Sequence, residues 1–72
     1  MPLLSYTEVV RVLERARFEP VSQHGNHIKL RSGVNRRTVI VNAHAEVARG
    51  TLRSILSQAG LTRDEFEALR NA

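Results

Sequence analysis

From His27 to Arg31 the chain alternates without exception. Ile28 and Leu30 are apolar, while His27, Lys29 and Arg31 are cations or can become one. Successive side chains of a β-strand point to opposite faces, so this pattern belongs to a strand with one buried and one wet face. Gly25-Asn26 ahead of it is a turn signal, and Ser32-Gly33-Val34-Asn35 behind it is a hairpin loop. The strand is thus the second of three antiparallel strands. The first is a short extended piece from Glu19 to His24, entered through Phe18. Pro20 cannot donate to a ladder, so this piece is an edge strand or begins after the proline. The third runs from Arg36 to Val41 and is rich in β-branched residues.

Helical periodicity flanks the strands. Ser5-Tyr6-Thr7-Glu8 fits a capping box, and Tyr6, Val9, Val10, Leu13 and Ala16 recur at helical spacing. This predicts a helix over residues 5–16 with Arg11, Glu14 and Arg15 on its wet side. After a loop from Asn42 to Arg49, Leu52, Ile55, Leu56 and Ala59 mark a helix from Gly50, ended by Gly60 in the left-handed conformation. A last helix starts at a second capping box, Thr62 with Glu65, with Leu61 and Phe66 as its hydrophobic staple.

The order is α-β-β-β-α-α, an α+β fold with a three-stranded antiparallel sheet in one domain, residues 1–72. A chain this short buries only about 60% of the surface it exposes when unfolded. Its helices can cover one face of the sheet, and the other stays open. The open face takes His27, Lys29 and Arg31, so a shallow surface site is expected rather than an enclosed pocket.

Composition narrows the chemistry. There is no cysteine, which removes disulfides, thiolate nucleophiles and cysteine zinc sites. No apolar run reaches the roughly 20 residues that span a bilayer. The stretch MPLLSYTEVV has no basic segment followed by a long apolar run, so no signal peptide is expected, and a cytoplasmic location is.

The net charge is +4, and its placement matters more than its size. Residues 24–53 hold Lys29, Arg31, Arg36, Arg37, Arg49 and Arg53 against Glu46 alone, a balance of +5. Residues 1–23 balance to zero and residues 54–72 to −1. Ten of the eleven cations are arginine, whose planar fork suits phosphate. A nucleic-acid surface is the functional reading, and a solvated basic face is the plain one.

Within that surface His27 is the candidate for proton transfer, since imidazole changes charge close to neutral pH. RNA supplies its own nucleophile, the 2′-hydroxyl beside the scissile phosphate. A histidine that takes its proton, with cations that hold the added negative charge, is sufficient to cleave RNA without a metal. The expected RNA contacts are Gly25, Asn26, Lys29, Arg31 and Arg37, with Gly25 keeping the approach open. His24 and His44 are secondary candidates, His24 as a structural residue or a minor RNA contact, and His44 for a backbone bond or as a second proton carrier. Three histidines can also suggest a metal site, but Glu46 is the one acid nearby and a +5 neighbourhood repels a cation. No metal and no cofactor are expected. There is no glycine-rich phosphate loop, serine elbow or acidic dyad.

The chain resembles the HicA toxins, the mRNA-cleaving halves of HicA–HicB toxin–antitoxin systems. The resemblance is carried by Phe18 at the exit of the first helix, the Gly25-Asn26-His27 turn, the strand Thr38-Val39-Ile40-Val41, His44, and the block Gly50-Thr51-Leu52-Arg53-Ser54-Ile55-Leu56-Ser57-Gln58-Ala59-Gly60-Leu61. It implies a fold like the double-stranded RNA-binding domain, endonucleolytic cleavage of mRNA, a catalytic histidine that falls on His27, and a HicB-like antitoxin partner covering the active face. Three positions depart from the family pattern: Asn26 stands where serine is usual, Arg17 where glycine is usual, and Asn42-Ala43 where a proline is usual. Two other readings stay open. One is a non-catalytic RNA-binding module of the same fold, the other an interaction domain whose sheet face binds an acidic protein.

Overall fold

In the computed structural model, which describes residues 4–72, Ser5 stands at the head of helix α1 (Tyr6–Arg15). Its hydroxyl accepts from the Glu8 N–H at 3.2 Å. The reciprocal half of the expected capping box does not form. The Glu8 carboxylate turns away to Arg70 at 3.3 Å and Arg11 at 3.7 Å. Val9, Val12 and Leu13 are fully buried, whereas Tyr6, Val10 and Ala16 are partly so. Val12 was not in the predicted stripe. It is dry because α1 packs against both the sheet and the last helix, which widens the arc taken from water.

Strands β2 (Phe18–His24), β3 (His27–Ser32) and β4 (Thr38–Asn42) form one antiparallel sheet in that order. β2 is an edge, as Pro20 requires, though it starts ahead of the proline at Phe18. β4 begins two residues later than the β-branched run suggests. Arg36 has φ +61° and leaves the ladder. The turn before it is held by local side-chain bonds: Ser32 Oγ accepts from the N–H of Val34 at 3.0 Å and of Asn35 at 3.1 Å, and Asn35 Oδ1 accepts from the Arg37 N–H at 2.9 Å. Short polar side chains compete with a ladder in this way.

The stretch read as a loop after β4 contains β5 (Glu46–Val47), which pairs with β1 (Leu4–Ser5) in a separate two-stranded ladder. Two residues carry no periodicity that a sequence can display. Helix α2 (Arg49–Ala59) starts at Ala48 without a side-chain cap and ends at Gly60, φ +73°. There the Leu61 N–H reaches Leu56 O at 3.0 Å and the Gly60 N–H reaches Ser57 O at 3.3 Å, the two bonds of a Schellman motif. Helix α3 (Arg63–Arg70) opens with a complete capping box: the Glu65 N–H donates to Thr62 Oγ1 at 3.1 Å and the Thr62 N–H to Glu65 Oε1 at 2.8 Å. At its other end the Arg15 guanidinium donates to Leu69 O at 2.8 Å and Arg70 O at 3.3 Å, satisfying carbonyls the helix leaves free.

All three helices contribute to a core on one side of the sheet. Phe18, Leu30, Val39 and Val41 from the strands meet Leu13, Ile55, Ala59 and Phe66 from the helices. Each large side chain so buried contributes about 1.5–3 kcal/mol. Phe66, the staple residue of α3, is 0% exposed. Among the described residues no helix is long and apolar enough to cross a membrane.

Candidate functional site

The face of the sheet away from the helices is organised by strand register. His24 pairs with His27 and His27 with Asn42; Ser22 pairs with Lys29 and Lys29 with Ile40; Glu19 pairs with Arg31 and Arg31 with Thr38. Paired residues share a face, so these nine form three rows across the open side. Same-face residues along a strand lie roughly 6.6 Å apart. The rows thus set His27, Lys29 and Arg31 along the middle strand, with the histidine nearest the turn. The alternation of β3 holds in space: Ile28 and Leu30 face the core, Leu30 fully buried, while His27 and Arg31 are exposed and Lys29 is half-buried.

The turn that carries the histidines has two residues. Gly25 has φ +57°, and Asn26 keeps an ordinary negative φ. Glycine in the first position is what such a hairpin turn demands. Apart from Gly25 and its two chain neighbours, no heavy atom comes within 4 Å of where a Gly25 Cβ would stand, so φ selects glycine there. Gln23 Nε2 donates to Gly25 O at 3.2 Å, and the Ala43 N–H donates to Asn26 O, which ties the turn to the end of β4.

β2 carries an irregularity between Pro20 and Ser22. Pro20 pairs with Leu30 and Ser22 with Lys29, adjacent partners, so Val21 is an extra, unpaired residue. This is a β-bulge, and it shifts every later residue of β2 to the other face. Counting by alternation from buried Phe18 would put His24 on the core side. The bulge puts it beside His27.

The Ile40 N–H leaves the ladder and donates to Gln58 Oε1 of α2 at 3.2 Å. Lys29 and Ile40 are therefore a non-hydrogen-bonded pair, and so, two residues on, are His27 and Asn42. Such pairs bring Cα atoms to about 4.5 Å, the closer of the two kinds. By backbone geometry Asn42 is thus the closer of the two cross-strand partners of His27. Sequence reasoning missed Asn42 as a site residue because the partner of a strand residue depends on register, and the two-residue error in the start of β4 obscured it.

Other candidates lie elsewhere. His44 has φ +66° and meets the Tyr6 ring edge to face, with centroids 5.3 Å apart and planes at 61°. Arg37 lies in the loop ahead of β4, at the opposite end of that strand from Asn42. Its side chain crosses Gly60 at the C-terminus of α2, where the helix dipole favours a cation. Arg31 lines an open groove of about 630 Å³ with Ser32, Gly33 and Arg36.

The ion pairs among the described residues, Arg11–Glu8, Arg70–Glu8 and Arg70–Glu67, all join α1 and α3 or lie within them. None involves the cations of residues 24–53. Glu19 stands opposite Arg31 without closing to ion-pair distance. The basic middle of the chain therefore keeps its charge available. No three His, Asp or Glu side chains are grouped to hold a metal ion among the described residues. Chemically, the face offers two imidazoles and an amide in one row, with an amine and a guanidinium in the next two.

The model of a family described as "HicA toxin of bacterial toxin-antitoxin" matches residues 6–61, which span α1, the whole three-stranded sheet and α2. No curated protein matches the chain.

Proposed function

The chain belongs to the HicA toxin family of bacterial toxin–antitoxin systems, and from that premise we propose that it is an endoribonuclease that cleaves mRNA through His27. The observation that carries this reading is the row arrangement: His27 is exposed on the open sheet face, in line with Lys29 and Arg31. His27 takes the proton from the 2′-hydroxyl adjacent to the scissile phosphate. The oxygen so activated attacks phosphorus, and the bond to the 5′-oxygen breaks. Lys29 and Arg31 hold the phosphates and stabilise the charge that builds up on the one under attack. Because the nucleophile belongs to the substrate, the residues need only position, accept a proton and neutralise charge. Asn42, beside His27, is suited to orient the imidazole or to donate to a phosphate oxygen.

The exposed Ile40 in the second row gives a nucleobase an apolar seat between polar neighbours. DNA lacks the 2′-hydroxyl and is not a substrate on this scheme. A HicB-like antitoxin covering this face would block the three rows at once, and the cytoplasm, where mRNA is met, is the site of action.

The test is cleavage of end-labelled mRNA by the purified wild-type chain and His27→Ala, side by side with chelator present. Cleavage by wild type alone is expected. Equal cleavage by His27→Ala would refute the role of His27, and loss of wild-type cleavage with chelator would refute the metal-free scheme. RNA binding by both proteins without cleavage by either would favour a binding module that does no chemistry.

A further inference from the structure

His24 and His27 close the hairpin as a directly opposed pair on the open face. We propose that His24 is a second catalytic residue: it delivers the proton to the departing 5′-oxygen while His27 removes one from the 2′-hydroxyl. The proposal rests on the ribonuclease reading above and adds a residue to it.

Three observations carry it. The first is the bulge at Val21, which takes His24 off the core side and sets it beside His27. Bulges re-aim side chains in this way beside active sites. The second is spacing. The Ile40 N–H that points away to Gln58 makes His27–Asn42 a non-hydrogen-bonded pair, so His27 turns its own backbone groups toward His24. The histidines are then a hydrogen-bonded pair with Cα atoms about 5.5 Å apart, and a phosphate can sit across the two rings. The third is availability. Both residues are exposed, and neither imidazole has a hydrogen-bond or ion-pair partner among the described residues.

The chemistry requires two proton carriers. The O2′–P bond forms and the P–O5′ bond breaks. One proton leaves the 2′-hydroxyl for neutral His27, and one leaves protonated His24 for the 5′-oxygen. The products are a 2′,3′-cyclic phosphate and a 5′-hydroxyl, and no external reactant is consumed. A lone base would leave the 5′-alkoxide to depart unprotonated. Several groups face His24 from the neighbouring strands. β3 presents His27 and, further along, Lys29 and Arg31. β2 itself has Glu19 two rows away, and β4 presents Asn42, Ile40 and Thr38, none of which titrates.

The deciding experiment compares two oligoribonucleotides at the linkage that the wild type cuts, one ordinary and one with sulfur in place of the bridging 5′-oxygen. Sulfur departs without being protonated. His24→Ala should lose roughly 100- to 10,000-fold on the ordinary substrate, the usual worth of a proton carrier, and far less on the sulfur substrate. It should also lose the alkaline limb of the pH–rate profile, which belongs to the acid. His27→Ala should fail on both substrates. If His24→Ala slows both substrates equally, or neither, His24 is not the acid and the proposal is overturned while the nuclease stands. If the wild type cuts neither substrate, the nuclease reading itself falls and takes this with it. Circular dichroism of His24→Ala guards against a folding defect, which this exposed side chain should not cause.

Discussion

The Arg37 side chain lies across the α-carbon of Gly60, so that a Cβ placed there would stand 2.7 Å from Nε and 3.0 Å from Cζ. Gly60 is also left-handed, φ +73°, and its N–H closes α2. Two separate constraints therefore select glycine. Arg37 can swing away cheaply because it is exposed, so the backbone term dominates. Gly60→Ala should cost about 1–2 kcal/mol, the penalty for a side chain in the left-handed region. Urea unfolding measures it, and a change below about 0.3 kcal/mol would show that the Schellman end is not under this constraint.

Arg17 presents the converse case. It joins α1 to β2 with φ +72°, and its carbonyl accepts from the Gly33 N–H at 3.0 Å. Its side chain makes no ion pair among the described residues. Arg17→Gly should stabilise the chain by about 0.5–1 kcal/mol, the relief of strain less the extra entropy of glycine in the unfolded state. A lower midpoint in the same urea titration would mean that the Arg17 side chain makes a contribution that outweighs the strain.

Lys29 and Arg31 occupy consecutive rows of the open face, outside the core. Replacing both with glutamine should weaken binding to single-stranded RNA and reduce the slope of log K against log salt by about 1.4, at about 0.7 per phosphate contact. Thermal unfolding should stay close to wild type. An unchanged slope would remove these two residues from the RNA surface, and a collapsed fold would mean that the faces of β3 are assigned the wrong way round.

Much of this molecule is written in short-range patterns. The alternation from His27 to Arg31 determined the two faces of β3, because side-chain direction along a strand has a period of two and needs no partner to establish it. Gly25-Asn26 marked the turn, Gly60 the end of α2, and Thr62 with Glu65 the start of α3, since each closes a bond within a few residues. The cationic middle third and its wet histidine were legible for the same reason.

Where the partner lies far along the chain, only the tertiary structure decided. Ser5–Glu46 and Leu4–Val47 form a ladder too short to leave a pattern. His44 has a left-handed backbone and meets Tyr6, 38 positions earlier in the chain. Asn42 faces His27 through a register that begins in a side-chain-bonded turn. Above all, Val21 has no partner in the ladder, and that one unpaired residue turns His24 to the face of His27. A bulge is a mismatch between two strands. It is specified by how many residues each strand contributes between shared core contacts, here Phe18 with Ser32 and the turn at Gly25, and neither strand's own sequence contains that count.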